Sequence, residues 1–207
     1  MVEFFLNAYK NKPALDIILE AVIFVSGILS VYFAKKENIL VYPTGIIATI
    51  LTVYILYKAG YLADMTLNIY FSAMSIYGWI NWSRKTENGR VLKISRTNAR
   101  EKAVGVLLFF ITIAVTYIVY RLFGQEILRA NYIDIITSGI FFAAMWYMAL
   151  KKIENWTLWI IGDIIAVPLY AHRDLGMLAL QYLIFTILAV SAYLEWRKIL
   201  NSRQLTK

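Results

Sequence analysis

The chain has 207 residues, of which 60% are hydrophobic and only 16% are charged, and its mean hydropathy is +0.62. Soluble domains usually carry about 25% charged residues, so this composition excludes an ordinary soluble globular protein. The formal net charge of +8 comes from short basic clusters beside long apolar runs, which indicates membrane topology and argues against a nucleic-acid partner. With one histidine and no cysteine, the usual metal sites and catalytic relays are not expected. We therefore predict neither an enzyme nor a bound metal or cofactor.

Seven segments approach the roughly 20 apolar residues that a membrane-spanning helix requires. In chain order they are residues 16–34, 39–57, 65–82, 103–123, 133–150, 156–172 and 175–196. The sequence therefore predicts an all-α membrane protein in which seven transmembrane helices form a single domain over residues 1–207, embedded in a lipid bilayer.

The distribution of positive charge predicts the orientation of these helices. If the polar loop at residues 83–102 is cytoplasmic, helix alternation places 15 of the 21 Lys and Arg residues on the cytoplasmic side. Cytoplasmic loops of membrane proteins carry such an excess of basic residues. We expect a multi-pass protein of the bacterial inner membrane, with a periplasmic N-terminus and a cytoplasmic C-terminus.

Residues 16–85 and 134–198 resemble each other. Both begin with Asp-Ile-Ile, both first helices end in Lys-Lys, both second helices open with Asn, and both third helices close with Trp before basic residues. The offset between matched residues drifts from 118 to 114. With residues 103–123 as a linking helix, the pattern predicts a 3+1+3 arrangement of two parallel repeats, which in transporters hold substrate near the membrane midplane. Chance similarity between apolar helices is the alternative.

The sixth predicted helix carries the most distinctive polar pattern. Trp156, Trp159, Asp163 and Tyr170 are spaced by three, four and seven residues, which places them on one helical face. A carboxylate inside the hydrocarbon is costly and by default indicates a functional site. Beside two indoles it suits a flat cation. The alternatives are that Asp163 caps a helix break near Pro168 or pairs with another helix, and that Trp156 belongs to an interfacial aromatic belt.

A second polar stripe follows the third predicted helix. Asn68 and Trp79 are its best candidates for a cavity, and Trp82 closes the stripe. The serines between them are typical of close helix packing. On the seventh helix, Gln181 suits either a ligand or an interhelical hydrogen bond.

The two repeats differ in polarity at matched positions. The matching above pairs Trp159 with Tyr42 and Asp163 with Ile46, so only the second repeat keeps a polar aromatic face. We therefore expect an asymmetric site, lined more by the sixth and seventh helices than by the second.

The motifs YGWINW (residues 77–82) and ENWTLW (residues 154–159) resemble those of the PnuC-type nicotinamide riboside transporters, and the resemblance covers roughly residues 16–198. It implies a three-plus-one-plus-three fold related to the sugar transporters called SWEETs. It also implies a homotrimer and passive import of the riboside, which a cytoplasmic kinase then phosphorylates and retains. The implied midplane site comprises Trp159, Asn155 and Asp163, with Asn68, Trp79 and Gln181 opposite.

Two departures from the family pattern leave the substrate open. Asn68 stands where the riboside carriers are expected to have Gln, and Asp163 where some have Asn. The resemblance extends to branches associated with thiamine and riboflavin. Nicotinamide riboside and thiamine both contain a flat cationic ring, whereas neutral riboflavin suits Asp163 less. We prefer nicotinamide riboside and keep thiamine as the alternative; the competing class is a non-transporting membrane scaffold whose polar stripes are packing contacts.

Overall fold

The computed structural model describes residues 13–59, 62–84, 92–122, 129–172 and 176–205. These residues form seven long helices, namely α1 (Ala14–Lys35), α2 (Val41–Ala59), α3 (Leu62–Ser83), α4 (Ala99–Leu122), α5 (Arg129–Ala149), α6 (Glu154–His172) and α7 (Gly176–Leu205). The predicted all-α class and the count of seven helices are confirmed. The predictions for both chain termini, and for much of the 83–102 loop, fall outside the described residues.

Five of these helices, α1, α2, α4, α5 and α7, are long and apolar enough to cross a membrane. The other two, α3 and α6, carry the polar stripes, whose Asn, Asp and Trp side chains lower their hydropathy. Large apolar side chains remain exposed on the outside of the bundle. Lipid tails are as apolar as leucine, so such a surface fits a bilayer.

Several helix ends differ from the sequence prediction, and two of the differences have a visible cause. α4 begins four residues earlier, because Asn98 and Glu101 form reciprocal hydrogen bonds of 2.9 Å between each side chain and the other residue's backbone N–H. This capping box satisfies two N–H groups that a helix start leaves unpaired. α7 continues to Leu205, since Ile199 and Leu200 still pack against the buried core.

The helices pack as two similar halves. α2 packs between α1 and α3, just as α6 packs between α5 and α7. Across the halves, α1 contacts α7 and α3 contacts α5, while α4 packs mainly against α5. Exchanging α1, α2 and α3 with α5, α6 and α7 leaves the contacts among these six helices unchanged, and only α4 departs from the symmetry. The packing therefore supports the predicted 3+1+3 arrangement.

Two loops define the register between the halves. Glu37, after α1, has a φ of 53°, and Lys151, after α5, has a φ of 51°. In both loops the following residue donates its N–H to the carbonyl oxygen five residues earlier, at 2.9 Å. Glu37 and Lys151 are 114 positions apart, and the hydrogen bonds that open α2 and α6 recur at the same offset. The register is therefore constant over this part of the two halves.

A pair of aromatic rings in the first half has a matching pair in the second half, at the same offset of 114 residues. Tyr42 meets Trp82 edge-on at 5.1 Å and 84°, and Trp156 meets Trp196 at 5.4 Å and 86°. Trp82 and Trp196 contact each other across the halves at 6.4 Å. We call these four residues the tryptophan cluster.

The constant register corrects the matching made from sequence letters. Trp159 corresponds to Gly45 and not to Tyr42, and Asp163 corresponds to Thr49 and not to Ile46. Letter matching had aligned Asn residues that open the two second helices, whereas the loop hydrogen bonds define the equivalence physically. The repeat boundaries 16–85 and 134–198 stay predictions.

The two ends of the bundle carry different ion pairs. At one end, Lys35 on α1 lies 3.5 Å from Glu195 on α7, close to the loops that hold Glu37 and Lys151. At the other end, Lys58 lies 3.0 Å from Asp16. We call the first end the lysine-rich end, and positive charge there is typical of the cytoplasmic side.

Candidate functional site

Buried polar atoms without hydrogen-bond partners collect on one face of α6. Among the described residues six side-chain atoms are of this kind, and four of them belong to α6: Asn155 Oδ1, Trp156 Nε1, Trp159 Nε1 and Asp163 Oδ1. Such atoms are rare in folded proteins, because each has lost its hydrogen bonds to water. Their spacing along the helix places them side by side. This face therefore offers unmet hydrogen bonds to a polar ligand.

Asp163 lies deep inside the bundle. It is nine residues from the start of α6, which corresponds to about 13 Å at 1.5 Å per residue. The side chain is only 2% exposed, and none of the ion pairs among the described residues includes it. α6 runs through Pro168 to His172 without a break, so the alternative in which Asp163 caps a broken helix is wrong. A buried carboxylate without an ion pair favours a cationic ligand.

Aromatic rings from α3 and α5 lie against Trp159, and a ring from α7 extends the group. Phe141 on α5 stacks on the indole at 5.3 Å and 27°, and Phe71 on α3 lies tilted at 6.2 Å. Tyr182 on α7 stacks on Phe141 at 6.0 Å and on Tyr170 at 5.1 Å. We call Trp159, Phe141, Tyr182 and Tyr170 the aromatic stack. It supplies flat apolar surface next to the polar face of α6.

The position of Phe141 depends on Gly162. A Cβ atom added to Gly162 would overlap the Phe141 ring, so the ring lies directly against the backbone of α6. Sequence analysis missed Phe141 and Tyr182, because an aromatic residue in an apolar helix is indistinguishable from ordinary packing. The available signal was the glycine between Trp159 and Asp163, which marks a close approach by another element.

Two of the remaining candidates are Asn68 on α3 and Gln181 on α7. The Nε2 atom of Gln181 lies 3.1 Å from the place of a Cβ on Gly27, so Gln181 faces α1. Asn68 is half-buried. Its backbone carbonyl oxygen accepts a hydrogen bond from the Ser72 hydroxyl at 3.0 Å. The Ser72 hydroxyl in turn lies 2.7 Å from that of Thr49. Gln181 therefore lies where α7 meets α1, and Ser72, one turn from Asn68, lies where α3 meets α2.

Trp79 and Trp82 lie apart from the aromatic stack. Trp79 is 41% exposed and lines a shallow depression on the surface. The buried face of α3 follows Ser75, Gly78 and Trp82 at helical spacing, and Trp79 lies beside it. Trp82 is buried in the tryptophan cluster, where its Nε1 donates to the carbonyl oxygen of Met148 at 3.3 Å. The structure thus joins Trp79 to neither Trp159 nor Asp163, whereas Trp82 belongs to the buried core against which Trp159 packs.

Comparison with known proteins identifies the family. A family model described as nicotinamide mononucleotide transporter matches residues 17–198. The chain belongs to the nicotinamide mononucleotide transporter family. The nicotinamide riboside transporter PnuC of Escherichia coli K12 is 28% identical over 202 residues, covering 86% of this chain and 84% of its own. That of Haemophilus influenzae is 27% identical over 199 residues, covering 94% and 84%.

A solved structure of this family matches the fold. The crystal structure of the vitamin B3 transporter PnuC superimposes with a TM-score of 0.71 at 26% identity, covering 91% of this chain and 84% of that one. The resemblance drawn from the YGWINW and ENWTLW motifs is confirmed. Membership of the nicotinamide mononucleotide transporter family makes the chain a membrane transport protein, and a non-transporting scaffold is not supported.

Proposed function

We propose that the chain imports nicotinamide riboside across the bacterial inner membrane by facilitated diffusion. The observation that carries this proposal is the unpartnered polar face of α6, with the buried Asp163 carboxylate one turn from the Trp159 indole. The pyridinium ring of the riboside is flat and cationic, so it stacks on an indole and offsets a buried carboxylate. The ribose hydroxyls offer both donors and acceptors to Asn155 and the indole N–H groups.

The substrate choice rests on the relatives and on charge. Related proteins from Escherichia coli, Neisseria mucosa and Haemophilus influenzae are named nicotinamide riboside transporters. Thiamine shares the flat cationic ring but has no such named relative among these. The phosphate of the mononucleotide would bring negative charge toward Asp163, which is unfavourable in a buried site. The riboside therefore suits the α6 face best.

The proposed transport mode follows from the charge of the substrate. A membrane potential that is negative inside draws a single positive charge inward with roughly 2.3 kcal/mol per 100 mV, without a coupled ion. Phosphorylation by a cytoplasmic kinase then retains the substrate. The proposed orientation has a periplasmic N-terminus and a cytoplasmic C-terminus, so that the lysine-rich end faces the cytoplasm. The proposed assembly is a homotrimer, in line with the family resemblance.

Uptake into liposomes that contain the purified protein tests this function. We expect labelled nicotinamide riboside to equilibrate across the membrane without an ion gradient, and the initial rate to be unchanged by a protonophore. Excess unlabelled riboside should compete, and riboflavin should not. Stronger competition by thiamine would make thiamine the substrate. Uptake no faster than in protein-free liposomes would contradict a transport function.

A further inference from the structure

Glu37 and Lys151 join the two halves at the lysine-rich end. The Nζ atom of Lys151 lies 3.3 Å from Oε2 of Glu37, and the Lys151 side chain is only 5% exposed. Glu37 belongs to the loop between α1 and α2, and Lys151 to the loop between α5 and α6. Over the described ranges this is the one ion pair of Lys151. A buried ammonium therefore relies on a carboxylate from the opposite half.

Both residues occupy a backbone conformation that favours glycine. Their φ angles of 53° and 51° lie in the left-handed region, where a Cβ atom is unfavourable and where helices usually end in glycine. Here a Glu and a Lys stand at corresponding positions of the two halves, and their side chains meet. The backbone conformation alone would favour glycine at both positions, so the ion pair explains why Glu and Lys are found there.

Lys151 also covers the tryptophan cluster. Its Nζ atom lies 4.3 Å from the centroid of the Trp82 ring, which is within cation–π distance. Burial lowers the pKa of the Lys151 ammonium, and the Glu37 carboxylate acts against that shift. Trp82 in turn contacts Trp196 of the other half. One ionic and one aromatic layer of contact therefore join the halves at this end, beside the Lys35–Glu195 ion pair.

These layers lie between the lysine-rich end and the inner part of the α6 face, which holds Trp159 and Asp163. Trp156, in the cluster, is one helical turn closer to that end than Trp159, and Asp163 lies one turn further inside. The Tyr42 hydroxyl and the Trp156 N–H are buried without partners. If the halves separated here, water would supply those partners. The closed cluster thus contains groups that are better satisfied when the end is open.

We propose that Glu37 and Lys151 form a gate that closes the substrate path at the lysine-rich end. In the closed conformation the ion pair and the Trp82–Trp196 contact hold the halves together, and separation of the halves opens a path from the α6 face to this end. The proposal rests on the proposed function of the α6 face as the substrate site.

Cysteine accessibility tests the gate, because the chain contains no native cysteine. Ala192→Cys places one thiol on α7, at a fully buried position of the core that contains the tryptophan cluster. We expect a membrane-impermeant maleimide to label this thiol slowly in inside-out vesicles. Glu37→Gln leaves the buried ammonium without its carboxylate, so labelling should become at least about tenfold faster. Lys151→Met, which leaves no buried charge, should also speed labelling.

Two control variants make the result specific. The exchanged pair Glu37→Lys with Lys151→Glu restores an ion pair and should return labelling toward the slow rate. Glu101→Gln breaks the 2.8 Å pair with Lys152 at the same end, but that pair joins α4 to the second half, and labelling should not change. Unchanged labelling in Glu37→Gln, or equal acceleration by Glu101→Gln, would overturn the gate.

Calorimetry with nicotinamide riboside separates the gate from the substrate site. We expect the Glu37→Gln protein to bind the riboside with an affinity within about threefold of the unmodified protein, since Glu37 does not line the α6 face. Binding retained with unchanged labelling would refute the gate alone. Faster labelling in a protein that binds no riboside would refute the proposed substrate and leave the gate supported.

Discussion

The two halves of the molecule match closely at the lysine-rich end and differ in the middle of the bundle. At the end, the Tyr42–Trp82 and Trp156–Trp196 pairs have nearly the same distance and angle. In the middle, Trp159 corresponds to a glycine at position 45. Matching contacts are found where the halves meet and would separate, and different contacts are found where a ligand would bind.

The difference in the middle is one of size. Phe141 and Tyr182 of the second half correspond, at the offset of 114, to Gly27 and Asn68 of the first. A flat ring needs a stacking surface on one side and space on the other. The aromatic residues of the second half supply the stacking surface, whereas Gly27 of the first half lies against Gln181 and Phe185. The asymmetric site expected from the sequence stays a prediction, and the register pairs its residues differently from the letter matching.

The halves also differ in how their polar groups are satisfied. Thr49 of the first half shares a 2.7 Å hydrogen bond with Ser72. At the corresponding place in the second half, the Oδ1 atom of Asp163 is buried without a partner. In the middle of the bundle, the Thr49 hydroxyl of the first half therefore has a hydrogen-bond partner, whereas the Asp163 carboxylate of the second half has a buried oxygen without one. That contrast directs the following experiments.

Asp163→Asn should cause the largest loss of riboside affinity. The substitution keeps the shape of the side chain but removes its charge, and the attraction between unit charges roughly 6–10 Å apart at an effective dielectric constant of about 20 is about 1.5–3 kcal/mol. We expect the dissociation constant measured by calorimetry to rise roughly 10- to 150-fold. An analogue with a neutral, reduced pyridine ring should bind about as well as before.

The matched control for Asp163 is Thr49→Ala in the first half. It removes only the bond to Ser72 and should change the binding of the charged and neutral ligands to the same small extent. If Asp163→Asn also weakened both ligands equally, and lowered the thermal stability of the protein, Asp163 would be a structural residue and not a ligand-binding one.

Trp159→Ala should have the next largest effect. A desolvated cation–π contact contributes about 1–2 kcal/mol, so affinity should fall roughly 5- to 30-fold. Trp159→Phe should lose less, since it keeps an aromatic face. Trp79→Ala is the control, because Trp79 is exposed and should leave affinity unchanged. A comparable loss for Trp79→Ala would instead place that outer surface in the binding site.

The helices were predictable from sequence because a long apolar run in a membrane satisfies its backbone hydrogen bonds most readily as a helix. The capping pattern at Asn98 and Glu101 was also visible in the sequence and was missed, so the start of α4 was placed too late. The register was not predictable. It is defined by the backbone of the loops at Glu37 and Lys151, whereas similar letters such as Asn38 and Asn155 matched by chance.

The candidate site was predictable only in part. The spacing of Trp159 and Asp163 marked the face of α6 that carries the buried polar atoms, since polar residues in an apolar helix stand out. Trp79 showed the same kind of spacing but lies on an exposed surface. Spacing along one helix does not reveal which face a neighbouring helix covers. Phe141 and Tyr182 were missed for the opposite reason, as their importance comes from contacts between helices.

Gly162→Ala should have the smallest effect on binding and reports on the aromatic stack. The added methyl group overlaps the Phe141 ring, and such overpacking costs about 1–3 kcal/mol of stability. The first half avoids this contact differently, since Ala48 and Gly27 are the corresponding residues. Because Phe141 supports Trp159, a shifted ring should tilt the indole and weaken riboside binding by roughly two- to fivefold, less than removal of Trp159.

A second substitution and a control separate support of Trp159 from general destabilisation. Phe141→Leu in the Gly162→Ala background removes the overlapping ring atoms, so part of the lost thermal stability should return, while affinity should not, since Trp159 still lacks its stacking partner. Gly105→Ala creates a similar overlap with Tyr147 between α4 and α5. It should lower thermal stability without changing the dissociation constant. If Gly105→Ala weakened binding as much as Gly162→Ala, the effect would come from loss of stability, and the stack would have no part in recognising the ring.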